Sequence, residues 1–191
     1  MEVGNGVVVL DDFLHPDDWS LINEILNGPD IEWFFVDGVH EGSKDQGIFQ
    51  FVHRLFNDHQ IKSRYFCELL LPLLYNLSCM SLIKSKINLQ TNSCSNVEKG
   101  YHVDIEGHFS HRTAIYCVNT CNGMTSFRDI DLQVESRANR LIDFPSNLVH
   151  TGVSQTDQNC RIVFNINYYP HDQRVLSKAV EPYNEVVQRF Q

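Results

Sequence analysis

Three short stretches carry residue types that could do chemistry together: His102-Val103-Asp104, His150 and Arg161. Side chains two apart on a strand leave the same face, with Cα atoms about 6.8 Å apart. On that geometry His102 and Asp104 converge on one ion from a single strand. His150, which begins another extended run, supplies a third donor. Two imidazoles and a carboxylate on one triangular face leave the opposite coordination positions open, which suits non-haem Fe(II) with a co-substrate and dioxygen. Arg161 opens the run RIVFNINYY, where Arg161, Val163 and Asn165 share one face and Ile162, Phe164 and Ile166 the other. An arginine in such apolar company is costly to bury unless it meets an anion. A dicarboxylate gripped by the two-pronged guanidinium would be such an anion.

A lone HxD says little in a chain with nine histidines, and His15-Pro16-Asp17 is an internal control. That second HxD stands where a helix begins, with Asp17 favouring the helix N-terminus, and is read as structural. His108 and His111 follow the proposed ligands in EGHFSHR and are read as solvated loop residues. His40, His53, His59 and His171 have no partner spacing. The six cysteines are irregularly spaced with no CxxC pair, which argues against a disulfide framework or zinc finger and for a cytoplasmic protein with reduced packing thiols.

The elements that must position these groups are legible in outline. A chain of 191 residues, 42% hydrophobic and 20% charged, is an ordinary globular composition and fits a single domain over 1–191. Fifteen Lys and Arg against twenty-four Asp and Glu give a net charge of −9, which disfavours nucleic-acid partners. The most apolar stretch, Tyr65 to Leu77, carries Glu68 and Pro72 and falls short of the roughly 20 residues of a spanning helix, so no membrane partner is expected. Residues 1–81 read as mostly helical support. Pro16 to Asn27 repeats apolar residues at helical spacing and stops at Gly28-Pro29, and a second helix is expected from about Lys62 to Leu77. Ile31 to Val36 and Ile48 to Leu55 look extended, with a polar loop between them. From about 82 to 170, short strands follow one another at close spacing, as in a sandwich or barrel. Asn122-Gly123 reads as a hairpin turn between two of them. The tail, 171–191, is expected to hold one last helix, from Ser177 to Phe190.

The order HxD, His, Arg resembles the 2-oxoglutarate- and Fe(II)-dependent oxygenases. Gly100 to Pro170 is most similar to their prolyl-4-hydroxylase-like branch, including proteins common in phage and marine microbial sequences. TAIYCVNT, NGMTSF and VESRANRLIDFPSNLVHTGVS carry the likeness, which covers about 82–170 and is looser before that. The resemblance implies a mainly β fold with α elements: a double-stranded β-helix (jelly-roll), with helices packed outside the larger sheet. It implies His102, Asp104 and His150 as iron ligands and Arg161 on the C5 carboxylate of 2-oxoglutarate. The activity implied is hydroxylation of a C–H bond, in a peptidyl residue or a small molecule, using O2 and releasing succinate and CO2, with ascorbate as an optional reductant. Two positions depart from the pattern: Cys117 and Gln90 stand where relatives often carry tyrosines, and Cys117 is a shorter, weaker donor. The same resemblance turns Thr113, Ile115 and Cys117 inward rather than Ala114, Tyr116 and Val118. Asn88, Gln90, Thr113, Cys117 and Asn165 join Arg161 as co-substrate contacts. Rival readings are a cupin-like metal protein that does not use 2-oxoglutarate, a non-catalytic jelly-roll binder, and a nucleic-acid demethylase, the last disfavoured by charge.

Overall fold

The computed structural model describes residues 2–38, 49–107 and 110–171. His40, His108, most of the polar loop after Val36 and the expected tail helix lie outside these residues. The chain runs β1 (Glu2–Gly4), β2 (Val7–Leu10), α1 (Pro16–Asn27), β3 (Phe34–Asp37), β4 (Phe49–Asn57), β5 (Gln60–Ile61) and α2 (Phe66–Asn76). It continues through β6 (Cys79–Thr91), β7 (Arg112–Cys117), β8 (Met124–Phe127), β9 (Leu132–Glu135), β10 (Arg140–Pro145), β11 (His150–Val153) and β12 (Cys160–Pro170). No helix among the described residues is long and apolar enough to cross a membrane.

The large antiparallel sheet has the order β1-β2-β10-β7-β12-β6-β4-β3, with β5 beside β4. The small sheet is β11-β8-β9, widened at its β11 edge by bridges from Glu98 to Val153 and from His102 to His150. From β6 onward the chain passes between the two sheets repeatedly, which is the double-stranded β-helix expected from the sequence. The first third supplies more than helices: β1–β2 extend one edge of the large sheet and β3–β5 the other.

Strand alternation sorts the side chains into two cores. On the outer face, Ile87, Tyr116, Ile162, Phe164 and Ile166 pack with Ile22 and Leu26 of α1 and with Leu69, Leu70 and Leu73 of α2. Each such fully buried aliphatic side chain contributes roughly 1.5–3 kcal/mol. Between the sheets lies a smaller apolar cluster of Val7, Ile115, Cys117, Phe127, Val134, Ile142, Phe144 and Val163. Ile115 and Cys117 thus face inward and Ala114, Tyr116 and Val118 outward.

α1 has the expected limits, with Pro16 in its first turn and the Gly28 N–H closing it on the Ile25 carbonyl. His15 and Asp17 stand at its start, exposed, with the Asp17 amide donating to His15 Nδ1 at 3.4 Å. α2 starts at Phe66, later than expected, because Ser63 forms a turn instead. Its Oγ accepts from the Tyr65 amide at 3.0 Å and its carbonyl from Phe66 at 3.3 Å. Asn122-Gly123 is not a hairpin: β7 before it and β8 after it belong to different sheets. The Asn122 side chain instead ties this crossover to Thr156, accepting from its amide and donating to its hydroxyl.

Candidate metal centre and co-substrate pocket

His102 and His150 face each other across a single bridge, exchanging backbone N–H···O bonds of 3.0 Å in each direction. The chain leaves the sheet just after His102, so Asp104 is not its strand neighbour, as the HxD spacing suggested. A bend turns the carboxylate back instead. Asp104 Oδ1 lies 3.8 Å from His102 Nε2, and Oδ2 lies 3.7 Å from His150 Nε2. The three ligand atoms are all within 4.8 Å of one another, the only such group found among the described residues. Each imidazole is oriented through its other nitrogen: His102 Nδ1 meets the Gly100 carbonyl and His150 Nδ1 the Leu148 carbonyl, both at 3.0 Å. A proton held at Nδ1 leaves the Nε2 lone pairs turned to the centre, the tautomer a metal requires.

Asp104 is positioned from behind. Asn165 Nδ2 donates to both of its oxygens, at 3.0 and 3.1 Å. Asn167 Nδ2 donates to Asn165 Oδ1 at 2.7 Å, and Thr113 Oγ1 to Asn167 Oδ1 at 3.1 Å. Burial pushes the Asp104 carboxyl up, but the imidazoles of His150 and His102, then Lys86 and Lys84, outweigh it and hold it below the usual carboxylate range. Asn165 therefore touches the carboxylate rather than the co-substrate end, and Thr113 acts two links further back.

A cavity of about 610 Å³ opens beside these groups. At its other end Arg161 is 2% exposed, with Nε donating to Ser136 Oγ at 2.6 Å and Nη2 to Thr125 Oγ1 at 3.2 Å. No carboxylate among the described residues pairs with it. Two glycines make room for it. A Cβ on Gly123 would stand 2.8 Å from Arg161 Cδ, which explains glycine at the crossover. A Cβ on Gly152 would stand 3.3 Å from Arg161 Nη1 and 3.5 Å from Gln90 Nε2. Glycine there keeps open a position flanked by two donors, a cradle for a carboxylate. Asn88 and Gln90 line the same cavity, and their buried Oδ1 and Oε1 atoms have no partner among the described residues, nor does Gln50 Oε1 beside them. Such walls fit a polar occupant.

Cys117 is buried below this wall with Sγ 3.7 Å from Ser136 Oγ, so neither it nor Thr113 reaches the cavity lining. Burial pushes the thiols of Cys117 and Cys121 up. Sequence reasoning passed over Lys99, whose pairing with Gly152 turns it to the Arg161 side. Burial, with Arg161 nearby, pushes its ammonium down to about 8. Its position in an irregular stretch left no periodic signal. It also passed over Lys84 and Lys86, although their alternation with Asn88 and Gln90 along β6 was readable. His111, expected in solvent, is buried against Tyr169, and His53 bonds the Glu32 carbonyl and Ser63.

No family model matches the chain, and no curated protein sequence does. Among solved structures, a 2OG-Fe(II) oxygenase-family oxidoreductase from Burkholderia pseudomallei superposes with a TM-score of 0.67 at 13% identity, over 87% of this chain and 86% of that one. A prolyl hydroxylase from Trichoplax adhaerens, in complex with a hypoxia-inducible-factor peptide fragment, gives 0.61 at 15%, over 91% and 87%. A Pseudomonas putida prolyl-4-hydroxylase gives 0.55 at 15%, over 88% and 94%. The chain has the fold of the 2-oxoglutarate- and Fe(II)-dependent oxygenases, prolyl hydroxylases among them.

Proposed function

We propose that the protein is a 2-oxoglutarate- and Fe(II)-dependent oxygenase that hydroxylates a C–H bond of a peptidyl residue or small molecule, releasing succinate and CO2. The observation that carries this reading is one cavity with an open His-Asp-His face on one side and, on another, a buried arginine without a carboxylate partner among the described residues. His102, Asp104 and His150 would hold Fe(II), which together with 2-oxoglutarate and O2 supplies the oxidising chemistry. The chain's own work is positional. The carbonyls of Gly100 and Leu148 fix the imidazole tautomers, and Asn165 aims the carboxylate. Arg161 and Gln90 receive the far carboxylate over Gly152, and Asn88 adds a polar wall. Thr113 and Cys117 support from behind rather than touching the co-substrate. A peptide-binding prolyl hydroxylase of the same fold supports a peptide as one substrate form. The six cysteines, all unpaired, support a reducing, cytoplasmic setting.

Anaerobic Fe(II) and 2-oxoglutarate should together give the weak visible charge-transfer band of a chelate, and admission of air should release succinate. His102→Ala and Asp104→Ala should lose both signals while keeping the wild-type far-UV spectrum. Full succinate yield from either variant would overturn the ligand assignment. A band without succinate would point to a binder that has lost turnover.

A further inference from the structure

The cavity has a second cationic end that the co-substrate does not need. Along β6 the side chains facing the cavity are, in order, Lys84, Lys86, Asn88 and Gln90. Their partners on β12 are Asn167, Asn165, Val163 and Arg161, so the register is also a ruler. Gln90 lies level with Arg161, and Lys86 with Asn165, the residue that holds Asp104. Lys84 lies one step beyond. Asp104 of the metal-ligand cluster is therefore held level with Lys86, with Arg161 further along β12 on one side and Lys84 one step beyond on the other. Arg54 of β4 faces Lys86 in register and acts on it electrostatically, though it lies outside this cavity's lining.

The side chains of Lys84, Lys86 and Arg54 make no hydrogen bond or ion pair among the described residues. Both lysines are half-buried. Asp104 is the nearest acid acting on Lys86, and it would be committed to the metal; Glu106 is the other acid on the wall. In a protein of net charge −9, clustered cations without acidic partners among the described residues on a concave wall run against the average. A partly desolvated ammonium gains most from a bound anion. Lysines act as point charges and accept carboxylate or phosphate oxygens alike.

Resting on the oxygenase reading above, we propose that Lys84 and Lys86 form the anion-binding half of the substrate site. The molecule oxidised carries a carboxylate or phosphate group on the side of its reacting carbon away from Arg161. Substrates whose charge is capped as an ester or amide are excluded.

The test is calorimetric titration of the purified protein with inorganic phosphate and, separately, with malonate, in a buffer free of other multivalent anions. The Arg161 end binds anions too, so the wild type should show two classes of site. Lys84→Met/Lys86→Met should lose one class, weakening by at least about tenfold, and Lys84→Arg/Lys86→Arg should keep it. The ratio of phosphate to malonate affinity at that class identifies which group the substrate carries. Equal binding by the wild type and a Met/Met variant with wild-type near-UV circular dichroism would overturn the proposal, as would a single class of site in the wild type. The Fe(II)–2-oxoglutarate band, recorded on the same wild-type preparation, separates the two failures. A band without the second class sinks this inference alone, whereas a missing band removes the reading beneath it.

Discussion

Asp104 shows how much of a candidate metal site can be held by residues set behind its ligands. Both of its oxygens are engaged by one amide nitrogen of Asn165, which is itself oriented by Asn167 and Thr113. Hydrogen bonds behind a ligand typically change metal affinity by about 10–100-fold. Asn165→Ala should therefore weaken Fe(II) or Mn(II) binding by about that factor, measured by competition with a chromogenic chelator, without changing the melting temperature of the metal-free protein by more than a few degrees. Unchanged affinity would make the amide a bystander. That His102, Asp104 and His150 could converge, and that Arg161 would be buried, was readable in advance because residue type and rough order carry it. Asn165 was readable as an inward face but not as a support for Asp104, since that contact crosses from a bend to a strand 61 positions later. Cys117 was placed on the correct face, yet depth along the strand, which parity does not encode, keeps it off the wall.

Strands, more than helices, set the frame around that centre. β7 and β10 are joined to the β1–β2 turn by Arg112, whose Nε donates to Asp143 at 2.7 Å and whose Nη2 donates to the Gly6 carbonyl at 2.8 Å. Tyr168 of β12 also donates to Asp143, at 3.2 Å. Burial nevertheless pushes the Asp143 carboxyl up despite Arg112 beside it, so the pair sits in a poorly solvated place. Arg112→Leu, which strands that carboxylate, should cost about 3 kcal/mol in denaturant unfolding, while Arg112→Leu/Asp143→Leu should recover most of the loss. If the double variant is no better than the single, the pair is not the unit that matters. The strands themselves were visible as alternating runs, and the two helices as apolar periodicity. Which sheet each strand joins was not: Asn122-Gly123 has hairpin chemistry, but here the glycine is required by the close passage of Arg161.

For the molecule as a whole, the average charge of −9 conceals a cavity whose wall carries Lys84, Lys86 and Arg161 against Asp104 and Glu106. Lys99 is buried near Arg161, outside the cavity lining, and its depressed ammonium leaves a mark on global stability. Between about 8 and the ordinary lysine value of 10.5, the unfolded chain holds a proton that the folded chain has released. Stability from this residue therefore rises with pH through that window. Lys99→Met should be more stable than wild type near neutral pH and should lack that part of the rise, as read by urea unfolding at pH values from about 7 to 10. A wild-type curve that is flat or falling in that range, and identical in the variant, would contradict the assignment. Composition could not anticipate this, because it sums over surface and interior alike.

The thiols of Cys117 and Cys121 lie around Ser136 and Gly123, on the floor beneath Arg161. Held in the protonated form by burial, they are poor nucleophiles towards peroxide. On the oxygenase reading proposed above, reactive oxygen species escaping the centre would arise in the cavity above this floor. Sulfur kept protonated there would resist oxidation by such species.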